Sequence, residues 1–506
     1  MGTKENAAAS LRPGQARPTA MPKGEPNPSF RIESSVLCVD FDGTLTPTDS
    51  LYECLVLAVR LQPSVVFRIP LWLLRGRAYV KTRLIAIAAD ALRPDLFPRR
   101  QAVLDLIEHA RNQGRKIELV SAAHHALLER SGDNPAFDAF FGSYDGVNLK
   151  GATKAKFLTE RHPDGFAYIG DSAADIFVWQ AARERFGVAL SPSVRRRLKR
   201  ADIEIEELAP RRHWLRALIR EMRPHQWVKN LLVFVSVGLD LHNVNGAVLG
   251  RFFETFIAFC LMTSGTYIIN DLTDLASDRL HPRKRNRPLA SGALPIAIAI
   301  PAAFLLMAGG LFAAFTANLH IAASLLVYLG LTLAYSFGLK RISIVDVLAI
   351  ATLFTTRIVA GAFAYQTPAS RWIVVFSLFF FTSLALMKRT AETASLGAAG
   401  AKEIAGRGYR SSDYAYLVAM GISFGVGAVI VFSLYVSEMV NAQGQYNSPE
   451  VLWVAAGVLG YWMMRMWMST TRGEMNDDPI LYALRDRVSL GLGLVIFLVA
   501  VLAQIV

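Results

Sequence analysis

The sequence predicts two domains in two solvents: a Rossmann-like α/β domain over 34–209, then an all-α bundle of nine transmembrane helices over 227–506. Three observations carry this. Mean hydropathy is +0.31, with 53% hydrophobic and 19% charged residues, a balance water-soluble chains rarely show, so much of the chain belongs in lipid. The hydrophobicity is uneven: short β-branched runs alternate with amphipathic stretches up to Pro210, and apolar runs of membrane-spanning length follow. Finally, the loops between those runs alternate sharply in charge.

The elements follow in order. Residues 1–33, rich in Pro, Ala and Gly without an apolar core, read as a disordered tail and not as a signal peptide. The runs VLCVDF, KIELVS and FAYIGD are strands. Residues 50–112 form a helical insert, a small cap, whose stretch VVFRIPLWLLRGR reads equally as an interfacial segment or as ordinary cap core. A basic linker over 210–226 is preceded by SVRRRLKR and contains PRRHWLRALIREMRP; its charges are either a solvated face or a contact for anionic lipid headgroups. Cys38, Cys54 and Cys260 are too few and too scattered for a disulfide framework or a cysteine metal cluster, and suit a reducing compartment.

Nine apolar runs follow, near 227–241, 249–269, 295–315, 319–337, 343–365, 371–387, 414–437, 450–468 and 488–506. The loops after the even-numbered runs hold fifteen Lys and Arg, Lys402, Arg407 and Arg410 among them, whereas the other loops hold only Arg251 and Arg371. The positive-inside rule then makes the N-terminal domain cytoplasmic, on an inner or plasma membrane, with the C-terminus outside. The pI of 9.7 needs no nucleic acid: membrane phosphates and a phosphorylated substrate account for it.

Asp40 and Asp42 in VLCVDFDGTLT stand at the C-terminal end of a strand, where open α/β sheets place ligands. Such a pair can divide labour, Asp40 attacking phosphorus and Asp42 protonating the leaving oxygen, with Mg²⁺ holding the phosphoryl oxygens. Ser121 ends a second strand and can bond a phosphoryl oxygen. Lys154, in KAKFL, can neutralise phosphoryl charge, and Asp171 and Asp175 in YIGDSAAD offer oxygen ligands for Mg²⁺. His124 and His125 lack a third His or Cys ligand, so they read as a polar loop. Over about 34–205 these elements resemble the haloacid dehalogenase superfamily of Mg²⁺-dependent phosphatases. The resemblance implies Asp40 as nucleophile, Asp42 as acid/base, Ser121 and Lys154 as phosphate ligands, and one Mg²⁺ held by Asp171 and Asp175 together with Asp40 and Asp42. Lys150, one turn from Lys154, remains an alternative.

At the end of the second run, YIINDLTDLASDRLHPRKRNRPLASG repeats Asn270, Asp271, Asp274 and Asp278 at helical spacing, beside a cluster that includes Arg285 and Arg287. Carboxylates at a membrane mouth are costly unless they serve ions, and oxygen-only ligands beside a basic run point to Mg²⁺ and a diphosphate. Arg357 lies within a run, a placement that favours holding an anionic substrate. NDxxDxxxD resembles the first aspartate-rich motif of the UbiA superfamily of intramembrane prenyltransferases, as does YSFGLKRISIVDV with Lys340 and Asp346, over about 218–506. The resemblance implies nine helices and one or two Mg²⁺.

The usual second acidic motif of that family, DxxxD, is replaced by KRTAE, with Lys388, Arg389 and Glu392. A basic pair with one carboxylate suits a different anionic substrate. RPHQWVKN, with Arg223, Gln226, Lys229 and Asn230, together with DDPILYALRDR, holding Asp478 and Asp486, resembles the decaprenyl-phosphate phosphoribosyltransferase branch. That resemblance implies transfer of 5-phosphoribose from phosphoribosyl diphosphate to a polyprenyl phosphate, the fused phosphatase then removing the 5-phosphate of the lipid-linked product. Two other readings stand beside it: an aromatic prenyltransferase for a quinone- or haem-type acceptor, and a transferase whose soluble domain is a non-catalytic scaffold or sensor.

Overall fold

The computed structural model describes residues 33–131, 137–144, 148–211, 213–239, 241, 244–366, 369–398, 408–441, 446–475 and 478–505. The expected tail, apart from Glu33, lies outside the described residues, as do Arg212, Lys402, Arg407 and Asp477.

Six parallel strands form one sheet: β1 (Val36–Val39), β2 (Lys116–His124), β3 (Ala139–Ser143), β4 (Ala167–Gly170), β5 (Glu184–Val188) and β6 (Glu206–Ala209). Their order is β3-β2-β1-β4-β5-β6. Both β1 and β4 are buried along their whole length, as central strands covered on two faces must be, which is why VLCV and AYIG read as continuous apolar runs. The order reverses between β1 and β4, so a crevice opens beyond their C-terminal ends, between Asp40 and Asp171. β2 runs three residues past Ser121, with an irregular register against β3 between Val120 and His124. Ser121 therefore sits within the strand, the alternation of its side chains interrupted there.

Helices Ser50–Leu61, Val65–Leu73 and Arg77–Ala88 make the first part of the 50–112 insert. Asp49 caps the first through a hydrogen bond from Leu51 N–H, and Pro70 lies inside the second. Helix Gln101–Asn112 ends that stretch just before β2, and buries Val103, Leu106, Ile107 and Ala110 in the core shared with β1 and β2.

Eight helices among the described residues are long and apolar enough to cross a membrane: Gly246–Thr273, Ile296–Ala317, Leu319–Phe337, Val345–Ala364, Arg371–Ser395, Ser411–Val440, Pro449–Thr471 and Arg487–Ile505. The first expected run, 227–241, is not among them, and its described residues take another form. It lies in a 3-10 helix, Pro224–Phe234, and a short α-helix, Val235–Leu239, both packed on Val345–Ala364. A Cβ at Gly361 would lie 2.1 Å from the Val233 carbonyl oxygen, so only glycine admits this close crossing.

The two domains are docked. Arg279 grips Glu53 of the cap through two contacts, Nη2 to Oε1 at 2.5 Å and Nη1 to Oε2 at 3.2 Å, and both side chains are buried. Tyr52 and Val56 of the cap pack on Leu272, Leu275, Leu289 and Leu294 of the membrane domain. Removing one member strands a buried charge, so Glu53→Ala is expected to destabilise the docked chain by about 3 kcal/mol. Thermal unfolding of both single variants and the double variant checks this: additive effects would mean the pair is not coupled.

Candidate active sites

Asp40 directly follows β1 and donates its N–H to the Ile169 carbonyl at 3.1 Å, joining β1 to β4 at the crevice. The chain then turns back: Leu45 N–H reaches the Asp40 carbonyl at 3.2 Å, and Gly43 adopts φ +77°. A Cβ there would also lie 2.3 Å from Asp171 Oδ2. Glycine is thus required for the backbone and for the approach of a carboxylate. Gly43→Ala should cost about 1 kcal/mol in backbone strain and, by displacing Asp171, roughly a hundredfold in hydrolysis. Wild-type phosphate release from the purified variant would contradict this.

Lys154 is buried, its ammonium 3.0 Å from Asp40 Oδ1 and 3.7 Å from Asp175 Oδ1. It donates to the Tyr168 hydroxyl at 3.0 Å, which donates to Asp175 Oδ1 at 2.6 Å. The other Asp175 oxygen accepts from Ser172 N–H at 2.9 Å and its hydroxyl at 2.8 Å, a capping box that opens the 3-10 turn Ala173–Asp175. Lys150 is exposed and lines the same cavity. Asp40, Asp171 and Asp175 each offer an oxygen within 4.8 Å of one another, an all-oxygen set that fits Mg²⁺. Asp42 stands outside that triad. Its two oxygens accept from Ser50 N–H and Ser50 Oγ, both at 2.8 Å, which fixes it to the start of the cap.

Burial lifts the carboxyls, and their mutual repulsion adds to it. Asp40 is raised by burial and by Asp175, against the pull of Lys154. Asp171 is raised well above its usual range by burial, Asp175 and Asp40. Burial and then the Asp49 charge push Asp42 up to about 7, so a proton is available there near neutral pH. Burial pulls the Lys154 ammonium down, but Asp40 and Asp175 outweigh it and leave the group charged.

Asp40, Asp42, Ser121, Lys154, Asp171 and Asp175 all line one cavity of about 1120 Å³. Ser121 accepts from Ala123 N–H at 3.2 Å. His124 lines the cavity too, while His125 pairs with Glu129 at 3.3 Å.

The second constellation gathers where Gly246–Thr273 ends. Asp274 closes that helix and opens Leu275–Leu280, so the four acidic-motif residues span a break and not one continuous helix. Arg287 still bridges two of them, its Nη1 3.0 Å from Asp271 Oδ1 and 2.5 Å from Asp278 Oδ2, both carboxylates buried. Arg223 takes the other Asp271 oxygen, and Lys340 lies 3.3 Å from Asp274 Oδ1. Asn270 is half-buried beside them in sequence, and Arg285 is exposed.

Across the bundle, Lys229 and Lys388 converge on Asp478 Oδ2, at 2.6 and 4.0 Å. Arg389 is fully buried between Asp346 at 2.7 Å and Glu392 at 2.6 Å, with Tyr409 donating to Asp346. Arg357 is held by Asn230 Oδ1 at 2.9 Å and the Tyr328 hydroxyl at 3.1 Å. Asp486 pairs with Arg465 at 2.5 Å.

Sequence reasoning missed Glu221. It is buried, one oxygen lacks a hydrogen-bond partner, and burial followed by the neighbouring Asp271 pushes its carboxyl up to about 8. Its only sequence signal is a carboxylate closing the helix Trp214–Glu221 just before Arg223. Tyr168, which joins Lys154 to Asp175, sits inside an apolar strand and gives no signal at all.

Together the folds and sites define a membrane-embedded transferase-type bundle joined to a parallel α/β hydrolase-type domain. The UbiA prenyltransferase family matches residues 231–490, and the haloacid dehalogenase-like hydrolase family matches 37–178. The chain belongs to the UbiA prenyltransferase family and carries a haloacid dehalogenase-like hydrolase domain ahead of the family's helices. It is 37% identical to the uncharacterized protein y4nM of Sinorhizobium fredii, over 92% of this chain and 91% of that one. It is 29% identical to the decaprenyl-phosphate phosphoribosyltransferase of Mycolicibacterium smegmatis, over 55% of this chain and 89% of the relative. A solved UbiA homolog from Archaeoglobus fulgidus, bound to GPP and Mg²⁺, is 17% identical with a TM-score of 0.45, covering 57% of this chain and 98% of that one.

Proposed function

We propose that the membrane domain transfers 5-phosphoribose from phosphoribosyl diphosphate to a polyprenyl phosphate, and that the soluble domain then removes the 5-phosphate of the lipid-linked product. The observation that carries this is the replacement of the second acidic motif by Lys388 and Arg389. A prenyl diphosphate held by two Mg²⁺ clusters needs carboxylates at that place, whereas Lys388 beside Lys229 offers cations to an anionic nucleophile. The same feature counts against aromatic prenylation. The likeness to the mycobacterial phosphoribosyltransferase supports the same reading.

In the transfer, a lipid phosphate oxygen attacks the ribose C1, the bond from C1 to the diphosphate oxygen breaks, and diphosphate leaves. Asn270, Asp271, Asp274 and Asp278 would hold Mg²⁺, whose charge would offset that of the diphosphate leaving group. Arg287, Arg223 and Lys340 are the cations already gathered around those carboxylates.

In the hydrolysis, an Asp40 oxygen attacks the 5-phosphate and the bond from phosphorus to the ribose oxygen breaks. Asp42 gives that oxygen its proton, and water then cleaves the phospho-aspartate to release phosphate. Lys154 and Ser121 bind the phosphoryl oxygens, and Asp40, Asp171 and Asp175 would hold the Mg²⁺ that screens their charge from the attacking carboxylate. The domains are assigned as 34–209 for the phosphatase, 210–226 for the linker and 227–506 for the transferase, with the soluble domain on the cytoplasmic face. Purified full-length protein given ribose-labelled phosphoribosyl diphosphate and polyprenyl phosphate should produce labelled lipid, and none would overturn the transfer reading. A reporter fused after Val506 should report the side opposite to one fused at residue 30, and the same side for both would refute an odd span number.

A further inference from the structure

We infer that the phosphatase cavity is a composite site, one of whose walls is supplied by the membrane domain, and that its substrate is a phosphomonoester carried on a membrane-anchored lipid. This rests on the phosphatase reading and names the part of the chain that selects its lipid-linked substrate. Besides the catalytic residues, the cavity is lined by Ile85 and Ala86 of the cap and by Pro295, Ile296 and Ala297. Pro295 caps the second membrane-crossing helix, and Ile296 and Ala297 are its first two residues. The site that holds Asp40 thus ends on a helix that continues as a span.

The wall is a fixed part of the site. The Arg279–Glu53 pair binds the cap to the membrane domain, and a Cβ at Gly292, three residues before Pro295, would lie 2.5 Å from Pro47 Cγ of the phosphatase loop. Ser50, on the helix that carries Glu53, holds Asp42. At about 1120 Å³ the space far exceeds what a free sugar phosphate fills, and its added surface is apolar where the membrane helix begins. A phosphate at Asp40 with its lipid chain leaving along Ile296–Ala317 reaches the bilayer without leaving the protein. The cap also presents an exposed apolar surface: on helix Val65–Leu73 Phe67 is 82% exposed, and just after it Leu74 is 85% exposed, with Arg68 and Arg75 alongside. Apolar bulk flanked by arginines is the composition of a segment seated among headgroups.

The test uses the full chain in phosphatidylglycerol vesicles and two probes, farnesyl-phosphoryl-ribose 5-phosphate in the bilayer and free ribose 5-phosphate in water. We expect kcat/KM to favour the lipid-linked probe at least a hundredfold. Ala297→Trp on the membrane wall and Ala86→Trp on the cap wall, both at exposed positions, should each lower that preference at least tenfold. Equal turnover of both probes, or a preference unmoved by either variant, overturns this inference and leaves the phosphatase standing. Hydrolysis of neither probe, nor of p-nitrophenyl phosphate, overturns the phosphatase reading itself and this inference with it.

Discussion

Asp40→Asn is expected to stop phosphate release, by roughly a thousandfold or more, while leaving transfer to lipid at the wild-type rate. The amide is nearly isosteric but cannot accept a phosphoryl group. It also removes the charge that Lys154 meets at 3.0 Å, so a change in stability is expected as well, and the readout must be turnover by folded, monodisperse protein. Release of phosphate from a generic aryl phosphate at more than a few per cent of wild type would displace Asp40 from the nucleophile's role. Loss of transfer in the same variant would mean that the two sites do not work separately.

Asp271→Ala should have the opposite pattern: transfer falls roughly a thousandfold or more and hydrolysis persists. Asp271 is buried and takes both Arg223 and Arg287, so its loss leaves two guanidinium groups without their shared carboxylate and the diphosphate site without a ligand. Asp271→Asn keeps the volume and separates the effect of lost packing from that of lost charge. Wild-type labelling of lipid by either variant would remove the acidic motif from the transfer mechanism.

Much of this was legible in the sequence for physical reasons. The buried parallel strands had to be apolar throughout, so the carboxylates that follow them, Asp40, Asp171 and Asp175, stood out, and the fold brings their oxygens within 4.8 Å of one another. Arg287 stood out in the same way and bridges Asp271 and Asp278. Arg285, two residues away and chemically identical, is exposed, because the short 3-10 turn Lys284–Asn286 leaves only Arg287 directed at the cluster; spacing in a loop cannot reveal this.

The 227–241 run shows another limit. Its hydropathy is that of a span, but it carries Asn230, which Arg357 engages from a distant helix, and it packs as a 3-10 helix against Gly361. Such tertiary contacts leave no periodic trace. Glu221 and the Glu53–Arg279 pair were illegible for the same reason: each partner lies far away in sequence, and a lone carboxylate in an amphipathic helix looks like any solvated one.

The most direct test of two sites working in sequence on one lipid is to follow the 5-phosphate itself. Phosphoribosyl diphosphate labelled with ³²P at the 5-position is given, with polyprenyl phosphate, to the full-length protein in vesicles. Wild type should release the label as inorganic phosphate while ribose accumulates on lipid, and Asp40→Asn should retain the label in the lipid fraction in amounts equal to the ribose. Label held on lipid by the wild type, or inorganic phosphate released equally by Asp40→Asn, would contradict the account.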